Sequence, residues 1–288
     1  EQFHFAYAAT DYKELLDDDS TTCVFIATRH DSHHRIAAEF LNRGKSVFVE
    51  KPLASTAEGL RDVIEAARKA PGQLFVGFNR RFAPLAVEVK KRFESRRGPL
   101  SILYRVNAGG LPAEHWSHDP TEGGGRIIGE VCHFVDFVSY MTGSMPVRLF
   151  ASGTPQTRGA EFLDDSAAIS ISFADGSVAS IIYAAGGDTS IEKERIEVFG
   201  DRSVALINDF KTGAFTHNRK TSKLGGGNQD KGHAAQISGF LGAERGATQT
   251  AFSVESLAAT TAATFAINES ISLGRELELD LRPYFPEQ

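Results

Sequence analysis

The N-terminal third of the chain alternates short apolar runs with segments of helical period. Cys23-Val24-Phe25-Ile26-Ala27, Val47-Phe48-Val49 and Leu74-Phe75-Val76-Gly77-Phe78 are rich in β-branched and aromatic side chains, as strands covered on both faces are. Between the first two, Ile36, Ala37, Phe40 and Leu41 repeat at helical spacing, and Gly44 suits the C-terminal cap. Between the second and third, Ser55-Thr56-Ala57-Glu58 has the form of a capping box, and Leu60, Ile64 and Ala67 continue the helical period. Successive βαβ units are predicted, with their strands parallel and Thr28, Lys51 and Asn79-Arg80-Arg81 emerging on one edge. Pro52 has no N–H to give and ends its strand. Glu50-Lys51-Pro52 therefore sets an ammonium group at the rim where open α/β sheets bind ligands.

Near Arg96-Arg97-Gly98-Pro99 the helical pattern gives way to strand pattern, which divides the chain into 1–97 and 98–288. Ser101 to Asn107 opens the second part. Ala167, Ile169, Ile171 and Phe173 alternate with small or hydroxyl residues and turn at Asp175-Gly176 into Val178 to Tyr183. Arg195 to Phe199, a turn at Gly200-Asp201 and Ser203 to Ile207 form a second hairpin. Helices are expected over Val131 to Met141, His233 to Leu241 and Val254 to Leu273, the last facing inward with Leu257, Thr261, Ala262, Phe265 and Ile271 and free to pack back on the first part. Lys223 to Gly232 reads as a loop. The fold class is α/β: a truncated Rossmann-like parallel sheet, then an α+β domain with a predominantly antiparallel sheet, one face buried and one free for a partner.

Composition narrows the function. A net charge of −6 and a pI near 5.9 oppose nucleic acid, which needs a basic face to neutralise phosphates. The basic cluster Lys90-Lys91-Arg92 with Arg96-Arg97 reads as a solvated helix end. No run approaches the roughly 20 apolar residues that span a bilayer. Cys23 and Cys132 have no paired spacing, which suggests free thiols and a cytoplasmic location.

The stretches IATRHDSHHRIA, GKSVFVEKPLA, VGFNRRFAP and GGGRIIGEVCHFVDF, in order from Ile26 to Phe137, resemble the glucose-fructose oxidoreductase, inositol dehydrogenase and MocA (Gfo/Idh/MocA) family of nicotinamide-dependent sugar and polyol oxidoreductases. NAGGLPAEHWSHDPTEGGGRIIGEVCHFVD is similar to the subgroup fused behind a zinc-alcohol-dehydrogenase-like domain. The resemblance implies NAD or NADP as cofactor, with Thr28, His30, His33, Glu50 and Lys51 along it and a sugar-like small molecule as substrate. Phe3 to Ala8 and Asp11 to Leu16 are similar to the family's third strand and following helix. A Gly-x-Gly-x-x-Gly turn, on which a pyrophosphate would sit, does not occur among the glycine clusters of this chain. The expectation is a fragment of a longer enzyme that lacks the family's first two strands and is inactive by itself; the ribose-reading residue that would set NAD against NADP lies in the missing part.

Hydride transfer from an alcohol carbon needs a group to take the hydroxyl proton, and Lys51 and His133 are the candidates. His133 alone reads equally as a helix-capping or core histidine. The family's Asp, four residues before this histidine, is Gly129 here, so the adjacent Glu130 either replaces it or leaves more of the proton transfer to Lys51. Arg80, Trp116, His118, Arg126 and Asp136 are candidate substrate contacts. Arginine suits carboxylate or phosphate and Trp116 could stack on a sugar face, which favours an acidic or activated sugar. Arg80 could instead pair with a surface carboxylate, Asp136 could cap or bridge elements, and Trp116 could pack between domains. Neither His30, His33 and His34 nor His115, His118 and His133 has the cysteine or carboxylate partners of a zinc site, so no metal is expected.

Two function classes follow: a nicotinamide-dependent oxidoreductase acting on a sugar, polyol or related hydroxy compound, or a noncatalytic ligand-binding or assembly module that keeps the fold. A homo-oligomer through the second sheet is expected. At the other end, Phe3 to Ala8 is expected to pair in parallel with Cys23 to Ala27 and cover an otherwise bare edge.

Overall fold

The computed structural model describes residues 6–155, 162–163 and 165–286. Strands β1 (Cys23–Ile26), β2 (Ser46–Val49) and β3 (Leu74–Val76) form a parallel sheet in the order β1-β2-β3. Helix α1 (His33–Asn42) connects the first pair and α2 (Ala57–Lys69) the second. All four residues of β2 are buried, which is why that strand reads as an unbroken apolar run. Helix α2 starts one residue later than the capping box implies: Thr56, not Ser55, is its N-cap, and its side chain accepts from the Gly59 N–H.

Phe3 to Phe5 lie outside the described residues. Ala6 to Ala8 are exposed and form no strand, and β1 pairs with β2 alone among the described residues, so the expected pairing is not formed there. The intervening helix is a single turn, Lys13–Leu16, with no buried residue. A parallel crossover usually needs a dozen or more residues around a packed helix.

Helix α3 (Pro84–Arg92) leads to β4 (Ser101–Asn107), and α4 (Cys132–Thr142) precedes β5 (Pro146–Gly153). The hairpins β6 (Ala167–Phe173)/β7 (Val178–Ala184), β8 (Glu194–Gly200)/β9 (Ser203–Asn208) and β10 (Thr212–His217)/β11 (Lys220–Gly225) follow. Helices α5 (His233–Glu244) and α6 (Val254–Leu273) and the short β12 (Leu277–Glu278) follow, and Leu111–Pro112 pairs antiparallel with Phe162–Leu163 as a separate two-stranded ladder. The second sheet has nine strands in the order β11-β10-β9-β8-β4-β7-β6-β5-β12. It is antiparallel throughout except where β4 runs parallel to β7.

Strand β11 takes in Lys223 to Gly225, which the sequence assigns to a loop. It is an edge strand whose only buried residue is Leu224, so it carries no apolar alternation. The turn between β8 and β9 is centred on Asp201 and Arg202, both at positive φ, one residue beyond the expected position. The basic cluster is not merely solvated either: Lys90 donates to the Met141 carbonyl and Arg96 to those of Gly98 and Thr142, closing the end of α4.

Two apolar cores result. One lies around the parallel sheet and takes in Phe240, Leu257, Ala258 and Ala262; the other fills the inner face of the large sheet and takes in Ala263, Ala266 and Ile267. Helix α6 thus belongs to both. Of its expected inner residues, Leu257, Thr261 and Ala262 are buried while Phe265 and Ile271 are half-buried.

Candidate active site

Parallel register delivers the ends of β1, β2 and β3 to a common rim, and a cavity of about 330 Å³ opens there. Lys51 follows β2 directly, across a cis peptide bond to Pro52. Its Nζ donates to the Gly129 carbonyl at 2.7 Å. That carbonyl belongs to a single π turn, Ile127–Val131, which leads into α4. Such turns open the regular ladder and are frequent at functional sites.

Gly129 stands where the resembled family carries an aspartate. A Cβ there would lie 2.7 Å from Cε1 of His30, so the His30 ring excludes any side chain. His30 Nδ1 lies 2.7 Å from the Gly123 carbonyl. A carbonyl only accepts, so Nδ1 carries the proton and Nε2 keeps its lone pair. The ring meets Trp116 edge-on at 4.8 Å, and burial lowers its pKa to about 4, with the Gly123 bond opposing and the Lys51 charge reinforcing.

His133 also lines the cavity. Burial, with Arg80, Lys51, Lys193 and His233 adding positive charge around it, drives its pKa well below the ordinary value and keeps the ring neutral. Its Nδ1 is buried without a hydrogen-bond partner.

Glu130 faces the other way from a proton relay. It accepts from Tyr183 Oη at 2.5 Å, Lys193 Nζ at 2.5 Å and Arg126 Nη2 at 3.2 Å. Burial alone would raise its pKa, but Lys193, Tyr183 and Arg126 outweigh that and lower it to about 2. Glu130 is a fixed anion that holds its neighbours.

Arg80 lines the cavity but its guanidinium is committed. Nε donates to Glu194 Oε2 at 2.7 Å and Nη2 to Oε1 at 3.0 Å. This is a buried pair, not the surface pair considered from the sequence. Tyr104 at 2.5 Å and Lys231 at 2.7 Å complete the ring of donors around Glu194. Although burial opposes its charge, Arg80 and Lys231 hold the Glu194 pKa at about 2. Arg126 donates to the Gly109 carbonyl at 2.7 Å besides reaching Glu130. Trp116, half-buried, stacks under the Arg29 guanidinium at 5.4 Å.

The remaining sequence candidates lie off the cavity. His33 is fully buried and bridges the Pro52 and Thr28 carbonyls at 2.8 and 3.0 Å, pinning the loop after β1 to the loop after β2. Thr28 is exposed and contacts Ser32 Oγ at 2.6 Å. The Glu50 carboxylate lies against Gly77, where a Cβ would meet it at 2.7 Å. His118 pairs with Asp165 at 3.3 Å. Asp136 is held by Nε and Nη2 of the Arg81 guanidinium, which also lies 4.2 Å over Phe252. Among the described residues no group of three or more His, Cys, Asp and Glu side chains is arranged to hold a metal.

Glu194, Tyr183, Lys193, Lys231 and His233 were not singled out in the sequence. Glu194 carried a signal: it is in phase with the inward residues Ile196 and Val198 of β8, and a carboxylate in an inward register needs a partner. Lys193, Lys231 and His233 sit in loop or helix-start positions that no periodicity marks.

A parallel nucleotide-fold sheet, a large mixed sheet and a polar cavity at the rim make a two-part α/β protein of the kind that holds a small ligand at the sheet rim. Residues 1–78 match the model of the oxidoreductase family with NAD-binding Rossmann fold, and residues 99–205 match that of the Gfo/Idh/MocA C-terminal domain. The chain belongs to the Gfo/Idh/MocA family. It is 27% identical over 212 residues to levoglucosan dehydrogenase of Pseudarthrobacter phenanthrenivorans, covering 62% of this chain and 53% of that protein. It is 34% identical over 149 residues to inositol 2-dehydrogenase 2 of Saccharopolyspora erythraea, covering 50% and 42%. The chain thus spans about half the length of these relatives. A solved levoglucosan dehydrogenase in complex with NADH and levoglucosan superposes with a TM-score of 0.83 at 21% identity, covering 96% of this chain and 85% of that one. That match shows the shared fold. No helix among the described residues is long and apolar enough to cross a membrane.

Proposed function

We propose that the protein is a nicotinamide-dependent dehydrogenase that moves a hydride to or from a hydroxyl-bearing carbon of a sugar, polyol or related compound. The observation that carries this reading is the Lys51 ammonium, fixed at 2.7 Å from the Gly129 carbonyl at the sheet rim and facing the same cavity as the neutral His133.

The rim suits the nicotinamide end of NAD or NADP: the cavity is bounded by residues that follow β1, β2 and β3, and the partnerless Nδ1 of His133 is a polar atom awaiting a ligand. A bound nicotinamide supplies the hydride acceptor or donor. Lys51 places its N–H on the substrate oxygen and gives it a proton as the alcohol forms; in the opposite direction the same nitrogen takes that proton back. His133, uncharged, stands beside that oxygen without adding to the positive charge, while the cations around the cavity stabilise a developing alkoxide. His30, with its Nε2 lone pair, occupies the place of the family's aspartate and is a second acceptor for a substrate hydroxyl.

Replacing Lys51 by Ala or Met in the protein expressed from its complete natural gene should lower turnover at least about a hundredfold. Following reduced nicotinamide with inositol, levoglucosan and other polyols as trial substrates tests this. Near wild-type turnover at saturating substrate removes the catalytic assignment and leaves the binding-module reading. No Gly-x-Gly-x-x-Gly turn occurs in these 288 residues, so the chain by itself should give no micromolar NADH binding in a calorimetric titration.

The outward face of the large sheet carries exposed Leu103, Val178, Ile182, Phe199 and Val204, and this apolar row supports a homo-oligomer through that face. Charging it with Ile182→Lys should shift the sedimentation coefficient towards the single chain. The free thiols Cys23 and Cys132 support a reducing, cytoplasmic compartment.

A further inference from the structure

We infer that the cavity is built for a sugar-sized ligand bearing an oxyanion, a carboxylate or a phosphate, received by Lys193, Lys231 and the first turn of α5. The inference rests on reading the cavity as the substrate site and names the class of substrate it takes.

Charge balance comes first. Lys51, Arg80, Arg126, Lys193 and Lys231 all line the cavity. Glu130 answers Arg126 and Lys193, and Glu194 answers Arg80 and Lys231. Asp209 lies 3.7 Å from Lys231 but is nearer to Lys211, at 3.1 Å. Five cations therefore share two full carboxylates and part of a third, and among the described residues Lys51 donates to the Gly129 carbonyl and to no carboxylate. Water screens part of the excess, since Lys193 is 38% exposed, but Arg80, Arg126 and Lys231 are largely enclosed. An enclosed excess of positive charge favours an anion.

The second observation is the start of α5. His233 lines the cavity and opens a helix of 12 residues whose N-cap, Gly232, makes no side-chain cap. The glycine is imposed: its φ is +84°, and a Cβ would meet the Ala83 nitrogen at 2.5 Å and the Asn79 carbonyl at 2.6 Å. No Ser, Thr or Asp can stand there; the Asp230 carboxylate accepts from the Gly232 N–H at 2.8 Å, and the positive end of the helix beyond it favours a further acceptor. The third is His133, 8% exposed and lining the same cavity, whose buried Nδ1 has no hydrogen-bond partner among the described residues. The arginines that first suggested an acidic sugar are engaged with Glu194, Glu130 and Gly109; Lys193 and Lys231 pair with the same two carboxylates, but each ammonium keeps further N–H donors and both are more open than the arginines, so they and the helix end carry the recognition.

The test is calorimetric titration of the 288-residue chain with D-glucuronate, D-glucose 6-phosphate and D-glucose in low-salt buffer. At least one of the two anions should bind about tenfold or more tightly than glucose, a gain that salt diminishes. A preference for glucuronate marks a sugar acid, and a preference for the phosphate marks a sugar phosphate. Lys193→Gln and Lys231→Gln should each remove most of the gain, and Lys193→Arg should keep it; thermal unfolding identifies any variant that fails to fold, in which case Lys193→Arg against Lys193→Gln decides. Equal affinity for glucose, no saturable binding of either anion, or a gain indifferent to these lysines overturns the inference. Its fate is separate from that of the dehydrogenase reading: hydride transfer on neutral polyols with no gain for the acid removes only the oxyanion site, and tight binding of the acid with no hydride transfer removes only the dehydrogenase.

Discussion

At the scale of single residues, the site is governed by which polar atoms are already engaged. Glu130, at the cavity, and Glu194, behind Arg80 and Lys231, look like acid–base groups, yet each is surrounded by donors and stays ionised. The less conspicuous Gly129 matters more. Gly129→Ala would press a methyl group onto the buried His30 ring, whose Cε1 would lie 2.7 Å away, at an expected cost of about 1–3 kcal/mol. Urea unfolding measures it, and His30→Ala in the same chain should relieve the cost; a neutral Gly129→Ala would show that the ring yields freely. Arg80→Met is a harsher change. It leaves Glu194 fully buried with only Lys231 and Tyr104 as partners, and stability should fall by about 3–5 kcal/mol, as for other broken buried pairs.

Among the elements, those with strong periodicity were legible to within a residue. Helix α6 spans Val254–Leu273, as the pattern predicts, and β2 spans Ser46–Val49, one residue more than the apolar run Val47 to Val49. Strand β5 went unread, because its ends are Pro146 and Gly153 and its inward residues are few. Strand β11 went unread because a polar edge strand owes its form to backbone pairing with β10 rather than to buried side chains. The shifted start of α2 is testable: Thr56→Ala should destabilise the chain by about 1 kcal/mol and Ser55→Ala by much less. Equal effects of the two, read from denaturant midpoints, would return the cap to Ser55.

For the whole molecule, the neutral histidines set an acid limit. The folded-state pKa of His30 is lowered to about 4 and that of His133 lies well below the ordinary value, so below about pH 6.5 the unfolded chain binds protons that the folded chain refuses. Stability is therefore complete above about pH 6.5 and is lost as pH falls; His30 alone accounts for up to about 3 kcal/mol by pH 4. Below about pH 4.5 the depressed carboxylates Glu130 and Glu194 add to the loss, because they too take up protons on unfolding. Urea midpoints between pH 7.5 and pH 4 check the slope, and His30→Asn should flatten its upper part. A midpoint constant down to pH 5 would contradict the neutral histidines.

By itself the sequence determined the βαβ succession of the first sheet, the two hairpins at the centre of the second, and the arrival of Lys51 at the rim. These follow from local periodicity and from Pro52, whose consequences reach only a few residues along the chain. The tertiary structure alone decided that His30 fills the place beside Gly129, that Arg80 turns to Glu194, and that Lys193, Lys231 and the start of α5 face Lys51 across one cavity. Partners 93 to 114 residues apart, such as His30 with Gly123 and Arg80 with Glu194, leave no mark on any local pattern. Their pairing is fixed only when two cores, joined by α6, bring the sheets together and burial makes every unpaired charge costly.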